Sequence, residues 1–224
     1  MPLEALPGTL YGAFSNLGKA LSNASRLRIL NLVSQCEMSV DELADALGHS
    51  TANTSAHLKV LHQAKLVRRR KDGKRVYYCI AGDNALRLWL ALRDTAMAEL
   101  PEVRELMCRY ADEPHTLSVL EGDDVIQRAA AGEVILLDLR PPREYEAGHL
   151  PHARSIPAWE LEERMGELPE GATVVAYCRG PYCVAEIKAA RRLRQQGFEV
   201  HRLHHGHLEW RAAGRELERS EGAQ

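Results

Sequence analysis

The spacing of apolar residues divides this chain into a helical first half and a strand-rich second half. Phe14, Leu17, Ala20 and Leu21 recur three and four apart, and Leu27, Ile29, Leu30, Leu32 and Val33 continue the helical repeat. Ser39 followed three residues later by Glu42 is a capping box, and the short helix it opens closes at Gly48. His49 and Ser50 form a turn, and Ser50 caps a second helix from Thr51 to about Ala64 with Leu58 and Leu61 facing inward. Two capped helices joined by so brief a turn make a helix-turn-helix. The pattern then changes: Asp72-Gly73 separates two β-prone runs, Leu66–Lys71 and Lys74–Ile80, which predicts a hairpin. From Asp83 to Tyr110 a helical stripe carries Leu86, Trp89, Leu90, Leu100, Val103, Leu106 and Met107, with Pro101 as a kink or break. Beyond it, Val134–Asp138 and Thr173–Tyr177 read as buried strands, and a helix is expected from about Val184 to Gln196.

Charge sharpens the first half. Seven basic residues fall between Lys65 and Arg75 against one acid, Asp72. A cationic β-ribbon beside a helix-turn-helix is a winged helix whose wing lies along phosphates, here through Arg68, Arg69, Arg70, Lys71, Lys74 and Arg75. The exposed face of the second helix offers Thr51, Asn53, Thr54, Ser55, His57 and Lys59 to base edges or phosphates. Up to residue 110 the chain has 15 Lys+Arg against 11 Asp+Glu, and beyond it 14 against 20, so a net charge of -2 hides a basic half and an acidic half. A basic N-terminal domain points to a polyanionic partner.

The second half carries its chemistry in Cys178-Arg179-Gly180-Pro181-Tyr182-Cys183, a loop between a strand and a helix. Backbone N–H groups converging in such a loop, with the helix dipole behind them, stabilise a thiolate or a bound anion. Cys178 is therefore expected to be nucleophilic. Cys183, five residues on, is either a resolving thiol that exchanges with a persulfide or a small apolar residue of the first helical turn.

Five cysteines at irregular spacing do not form an extracellular disulfide framework, no apolar run is long enough to span a bilayer, and the start has no secretion signal. A cytoplasmic protein with reduced thiols is expected. The segment Ala111–His115 is polar, contains Pro114, and reads as a linker.

Residues 10–110 resemble the ArsR/SmtB family of winged-helix repressors. The matching words are Ser25-Arg26-Leu27-Arg28-Ile29-Leu30, Ser39-Val40-Asp41-Glu42-Leu43-Ala44, Thr54–Leu61 and Gly73-Lys74-Arg75-Val76-Tyr77-Tyr78. The resemblance implies a homodimer built from the first and last helices, bound to a pseudo-palindromic DNA operator. The family's metal ligands are missing: Val40–Leu43 holds no cysteine, and Asp83–Tyr110 holds no histidine. Some members respond to persulfides through paired cysteines, which Cys36 and Cys108 match loosely; Cys79 ends the wing.

Residues 116–218 resemble the rhodanese-like domain. The resemblance rests on Asp138-Leu139-Arg140, on Glu144-Tyr145-x-x-Gly148-His149-Leu150-Pro151, on the cysteine loop, and on Trp210-Arg211-x-x-Gly214. It implies an α/β domain with a central parallel sheet, with Cys178 carrying sulfane sulfur and Asp138 and Arg140 belonging to the site. The loop departs from the sulfurtransferase pattern, which ends in a cation where this chain has Cys183; Arg179 is left to supply charge. The histidines at 201, 204, 205 and 207 match a rhodanese segment better than a metal site, and no metal or other cofactor is expected.

The combined expectation is an α+β winged helix-turn-helix over 1–110, a linker at 111–115 and an α/β domain over 116–218. Functionally it is a DNA-binding repressor that senses or relays sulfane sulfur from a small donor through Cys178. The alternatives are a sulfurtransferase with an attached DNA-binding domain, or a metalloid-responsive repressor.

Overall fold

The computed structural model describes residues 8–110, 119–120, 122–180, 182–203 and 205–220, apart from the side chains of Cys108, Tyr110 and Val119. The linker expected at 111–115, and Pro181 and His204, lie outside them. The chain divides into two compact units, Met1–Trp89 and Leu90–Gln224.

The first unit contains α1 (Gly8–Leu21), α2 (Ala24–Gln35), β1 (Met38–Ser39), α3 (Val40–Leu47), α4 (Thr51–Gln63), β2 (Val67–Asp72) and β3 (Arg75–Ile80). It also holds the start of α5 (Asp83–Glu99). Local chemistry sets these boundaries. Asn23 caps α2 through the Arg26 amide, and Ser50 caps α4 through the Asn53 amide. The capping box of α3 is formed both ways: Glu42 accepts from the Ser39 amide at 2.7 Å, and Ser39 Oγ accepts from the Glu42 amide at 3.3 Å. Gly48 ends α3 in the left-handed region at φ 68°, which glycine adopts without a Cβ penalty.

Strands β1, β3 and β2 form an antiparallel sheet in that order, with Asp72 opposite Arg75. The hairpin turn is thus Gly73-Lys74, one residue later than Asp-Gly reading suggests, with Gly73 at φ 57°. Ile29, Leu30, Leu43, Leu58, Leu61, Ile80 and Leu86 are fully buried and make the core that holds α3 and α4 together.

The second unit takes the end of α5 and then α6 (Pro101–Tyr110), so Pro101 does break the helical stretch. It continues with β4 (Val119–Leu120), α7 (Gly122–Ala130), β5 (Ile135–Asp138), α8 (Pro142–Ala147), β6 (Arg154–Ser155) and α9 (Leu161–Arg164). Then come β7 (Thr173–Tyr177), α10 (Val184–Gln195), β8 (Glu199–Leu203) and α11 (His207–Ala212). Its five strands pair in parallel in the order β4-β8-β7-β5-β6.

A parallel sheet needs cover on both faces, and β7 shows how the sequence provides it. Val174, Ala176 and Cys178 point to the face packed by Ala189, Ala190 and Leu193 of α10, whereas Val175 and Tyr177 point to the face packed by Val125 of α7. The two-residue period of a strand therefore aims Cys178 at α10. No helix among the described residues is long and apolar enough to cross a membrane.

Candidate functional site

The cysteine loop leaves the carboxyl end of β7 and enters α10, with Cys183 at the N-cap position of that helix. The Cys183 amide donates to the Gly180 carbonyl at 3.1 Å, which closes the loop into a turn. This brings Cys183 Sγ to 2.7 Å from Cys178 Sγ. Both thiols are free, and Cys178 is 6 % exposed. Two sulfurs so close hold one proton between them more readily than two charges or two full thiols.

Electrostatics place the negative charge of the pair on Cys183. Its thiol is lowered to about 6, first by the hydrogen bond with Cys178 and then, against burial, by the amides of Glu186, Ala185 and Arg179. The Glu186 and Ala185 amides belong to the first turn of α10, and the Arg179 amide to the loop itself. Cys178 is pushed up by the same hydrogen bond and by burial, with only the Arg179 amide acting in the opposite sense. Loop amides and the α10 dipole thus favour a thiolate as the sequence suggests, but at the far end of the loop from the cysteine singled out there.

Arg179 does not face the loop as a free cation. Its guanidinium grips the buried Glu144 carboxylate, with Nε 2.9 Å from both oxygens and Nη2 in still closer contact. Glu144 belongs to α8, so this pair ties the Glu-Tyr-x-x-Gly-His-Leu-Pro segment to the cysteine loop. Asp138 and Arg140 form a second clamp with no exposure at all. Arg140 Nη2 lies 2.6 Å from Asp138 Oδ2 and 2.9 Å from the Gly148 carbonyl, and the guanidinium carbon is 5.7 Å from the centre of the Tyr177 ring. The pair fixes the ends of β5 and β7, from which the site springs. His149 stacks on Tyr145 with ring centroids 3.7 Å apart and its Nδ1 is 2.9 Å from the Tyr145 carbonyl, a structural role.

Sequence patterning misses Glu186 on α10. It is buried, and burial raises its carboxyl to about 7 although Arg202 of β8, with Nε 2.7 Å away, acts in the opposite direction. The only sequence signal was an acid on the inward stripe of an amphipathic helix. His207, also buried, is held far below the usual imidazole range by burial and by Arg140, and is neutral.

In the first unit, α4 exposes Thr51, Asn53, Ser55 and Lys59, and His57 is half-buried. Thr54 departs from its expected place on the DNA-facing side. It is 0 % exposed, in line with Leu58 and Leu61 at the spacing of one helix face, and belongs to the core. Arg68, Arg69, Arg70, Lys71, Lys74 and Arg75 are all exposed on the ribbon. Arg70 pairs with Glu37 at 2.6 Å and Asp72 at 3.1 Å, and lies over the Tyr77 ring. Arg68 Nε contacts Cys79 Sγ at 3.1 Å. Cys36 is the buried C-cap residue of α2, and Cys108 lies in α6.

Residues 23–69 match the model of the bacterial regulatory protein, arsR family, and residues 121–213 match that of the rhodanese-like domain. An HTH-type transcriptional regulator of Mycobacterium tuberculosis, Rv0324, is 41% identical over 205 residues, which cover 92% of this chain and 90% of the relative. A sulfurtransferase of Allochromatium vinosum is 33% identical over 105 residues, 46% of this chain and 96% of that protein. Among solved structures, the solution structure of the homodimeric winged helix-turn-helix DNA-binding domain of Mb0332 from Mycobacterium bovis has 35% identity and a TM-score of 0.42, covering 46% of this chain and 95% of that one.

Proposed function

The chain belongs to the arsR-type helix-turn-helix transcriptional regulators that carry a C-terminal rhodanese domain, and we propose that it is a homodimeric repressor whose operator binding responds to sulfane sulfur taken up by the Cys178–Cys183 pair. The observation that carries this reading is the 2.7 Å contact between the two sulfurs at the start of α10, with Cys183 lowered to about 6. The pair carries one negative charge at neutral pH, resting on Cys183, which stands close enough to Cys178 to take its proton as that sulfur reacts.

The chemistry is ordinary thiol exchange. Cys178 Sγ passes its proton to the Cys183 thiolate and attacks a terminal sulfur of a polysulfide dianion. A bond forms to Cys178 Sγ, and the polysulfide leaves one sulfur shorter with the electron pair of the broken S–S bond. Cys183 then attacks Cys178 Sγ of the persulfide, which forms the Cys178–Cys183 disulfide and releases hydrosulfide. The polysulfide is the oxidant for both steps. Closing a bridge between sulfurs already in contact needs little backbone movement and replaces a loop bearing one negative charge with a neutral one.

DNA contact is assigned to the exposed face of α4 and to the ribbon, where Arg69 and Lys71 point away from the Glu37–Arg70 pair on alternate positions of β2. A second reading, a sulfurtransferase with a DNA-binding domain attached, draws on the sulfurtransferase relative, which the second half covers almost entirely. The lack of a cation at the sixth loop position weighs for sensing over turnover.

The test is the affinity of the reduced protein for its own upstream DNA, measured by fluorescence anisotropy before and after polysulfide. The expected result is at least a tenfold loss of affinity in the wild type and none in Cys178→Ser. Equal loss in both would assign the response to other thiols. No loss, together with multiple turnovers of sulfur to an acceptor thiol, would favour the sulfurtransferase reading.

A further inference from the structure

Arg93 lies near the end of α5, upstream of the segment that matches the rhodanese-like domain, yet within the second unit it reaches the cysteine loop. Its side chain is 6 % exposed. One edge of the guanidinium is fully engaged: Nη2 lies 2.6 Å from Glu209 Oε1 and 2.6 Å from Asp94 Oδ1, and Nε donates to Asp94 at 2.7 Å. The remaining nitrogen, Nη1, is buried and has no hydrogen-bond partner among the described residues. It faces Gly180, where an added Cβ would lie 3.4 Å from Nη1 and 3.5 Å from the Tyr182 ring. Gly180 has φ 150°, a conformation that side chains rarely adopt, so glycine suits this turn of the loop beside the guanidinium.

A buried guanidinium donor left without a partner is uncommon, and where it occurs at a reactive loop a missing ligand is the natural occupant. The carboxylates of Glu209 and Asp94 hold the planar fork in one orientation, and the donor they leave over is turned toward the loop. Arg179, the cation inside the loop, is already spent on Glu144. The loop's own sixth residue is Cys183, which is not a cation.

We propose that Arg93 supplies, from α5, the cation that the loop lacks, and that it binds the oxyanion end of a small sulfur donor of the thiosulfate type at Gly180. This rests on the reading of the Cys178–Cys183 pair as a sulfur acceptor. In the bound complex Cys178 Sγ passes its proton to the Cys183 thiolate and attacks the outer sulfur of thiosulfate. The new S–S bond gives the persulfide, the thiosulfate S–S bond breaks, and its electron pair leaves on sulfite, so one thiolate and one dianion become one persulfide anion and one dianion. Arg93 would hold the departing sulfite group through the reaction.

The experiment uses the full chain as wild type, Arg93→Gln and Arg93→Lys. Persulfide formation is read by intact mass at several thiosulfate concentrations, and alkylation of the same loop by neutral iodoacetamide is read in parallel. The expected result is a fall of tenfold or more in the ratio of thiosulfate rate to iodoacetamide rate in Arg93→Gln, with part of it recovered in Arg93→Lys. An unchanged ratio, whether both rates hold or both fall together, would overturn the assignment and leave Arg93 a structural residue. A wild type that takes sulfur from polysulfide but none from thiosulfate would overturn it too, while the sulfur-acceptor reading stands. A wild type that takes sulfur from neither would bring down both.

Discussion

Two thiols 2.7 Å apart make opposite use of the same neighbourhood, and their titration is where a residue-scale claim is tested first. Cys183 collects the α10 amides and ionises at about 6, far below an ordinary thiol, whereas Cys178 keeps its proton. Alkylation of the loop by iodoacetamide should therefore stay near its maximum down to neutral pH and be half lost near pH 6. Cys178→Ser removes the largest contribution to the lowered value and should move the midpoint upward, while the helix amides keep it below that of a free thiol. A wild-type midpoint between 8 and 9 would refute the shared-proton pair. The sign of the linked stability follows from the lowered value. Between about pH 6 and the ordinary thiol range the unfolded chain binds more protons than the folded one, so this contribution rises with pH and is lost as pH falls through 6. The position of the loop was legible from a cysteine at a strand end before a helix. Which sulfur holds the charge was not, because that depends on where the first amides of α10 point. The Arg179–Glu144 pair was equally hidden, since it joins residues 35 positions apart through the fold of α8 against the loop.

Individual elements were easier to read, because their signals are local. Both caps of α3, the Ser50 cap of α4, the break at Pro101 and the strand Thr173–Tyr177 each rest on a few adjacent side chains, and all appear where those residues put them. Thr54 is the instructive failure. A polar residue on a helix with so many polar neighbours reads as surface, but its spacing to Leu58 and Leu61 turns it inward, and its Oγ1 is buried with no partner among the described residues. An unpaired buried hydroxyl costs about 1–3 kcal/mol. Thr54→Val keeps the shape and removes that cost, so thermal unfolding should show a gain of about 1 kcal/mol with operator affinity unchanged. A drop in affinity with stability held would return Thr54 to the DNA-facing side. The ribbon shows a related limit. Its six basic side chains were evident as a run, but the pleat divides them: Arg68 and Arg70 lie on one side, occupied by Cys79 and Glu37, and Arg69 and Lys71 lie on the other.

For the whole molecule, the two-part architecture was legible because each half carries its own periodicity, and it holds: a winged helix-turn-helix and a five-stranded parallel sheet. The stripe read from Asp83 to Tyr110 turns out to serve two purposes. Leu86 and Trp89 are buried in the first unit, while Leu100 and Leu106 remain exposed at the far end. At the start of the chain α1 presents a second uncovered patch, with Tyr11 60% and Phe14 58% exposed and their rings edge to face at 6.0 Å. Aromatic residues left in water on one helix face mark an interaction surface more often than an accident of folding. In the proposed repressor the occupant is a second copy of the chain, because a two-fold operator needs two recognition helices about one helical turn of DNA apart. The double substitution Tyr11→Ser, Phe14→Ser should then shift sedimentation velocity at micromolar concentration from dimer toward monomer. It should also weaken operator binding by tenfold or more, and it should leave alkylation of the cysteine loop as in the wild type, since that chemistry belongs to the second unit. A variant that remains dimeric with full affinity would move the interface off α1. Loss of loop reactivity along with the dimer would mean that the cysteine pair depends on assembly.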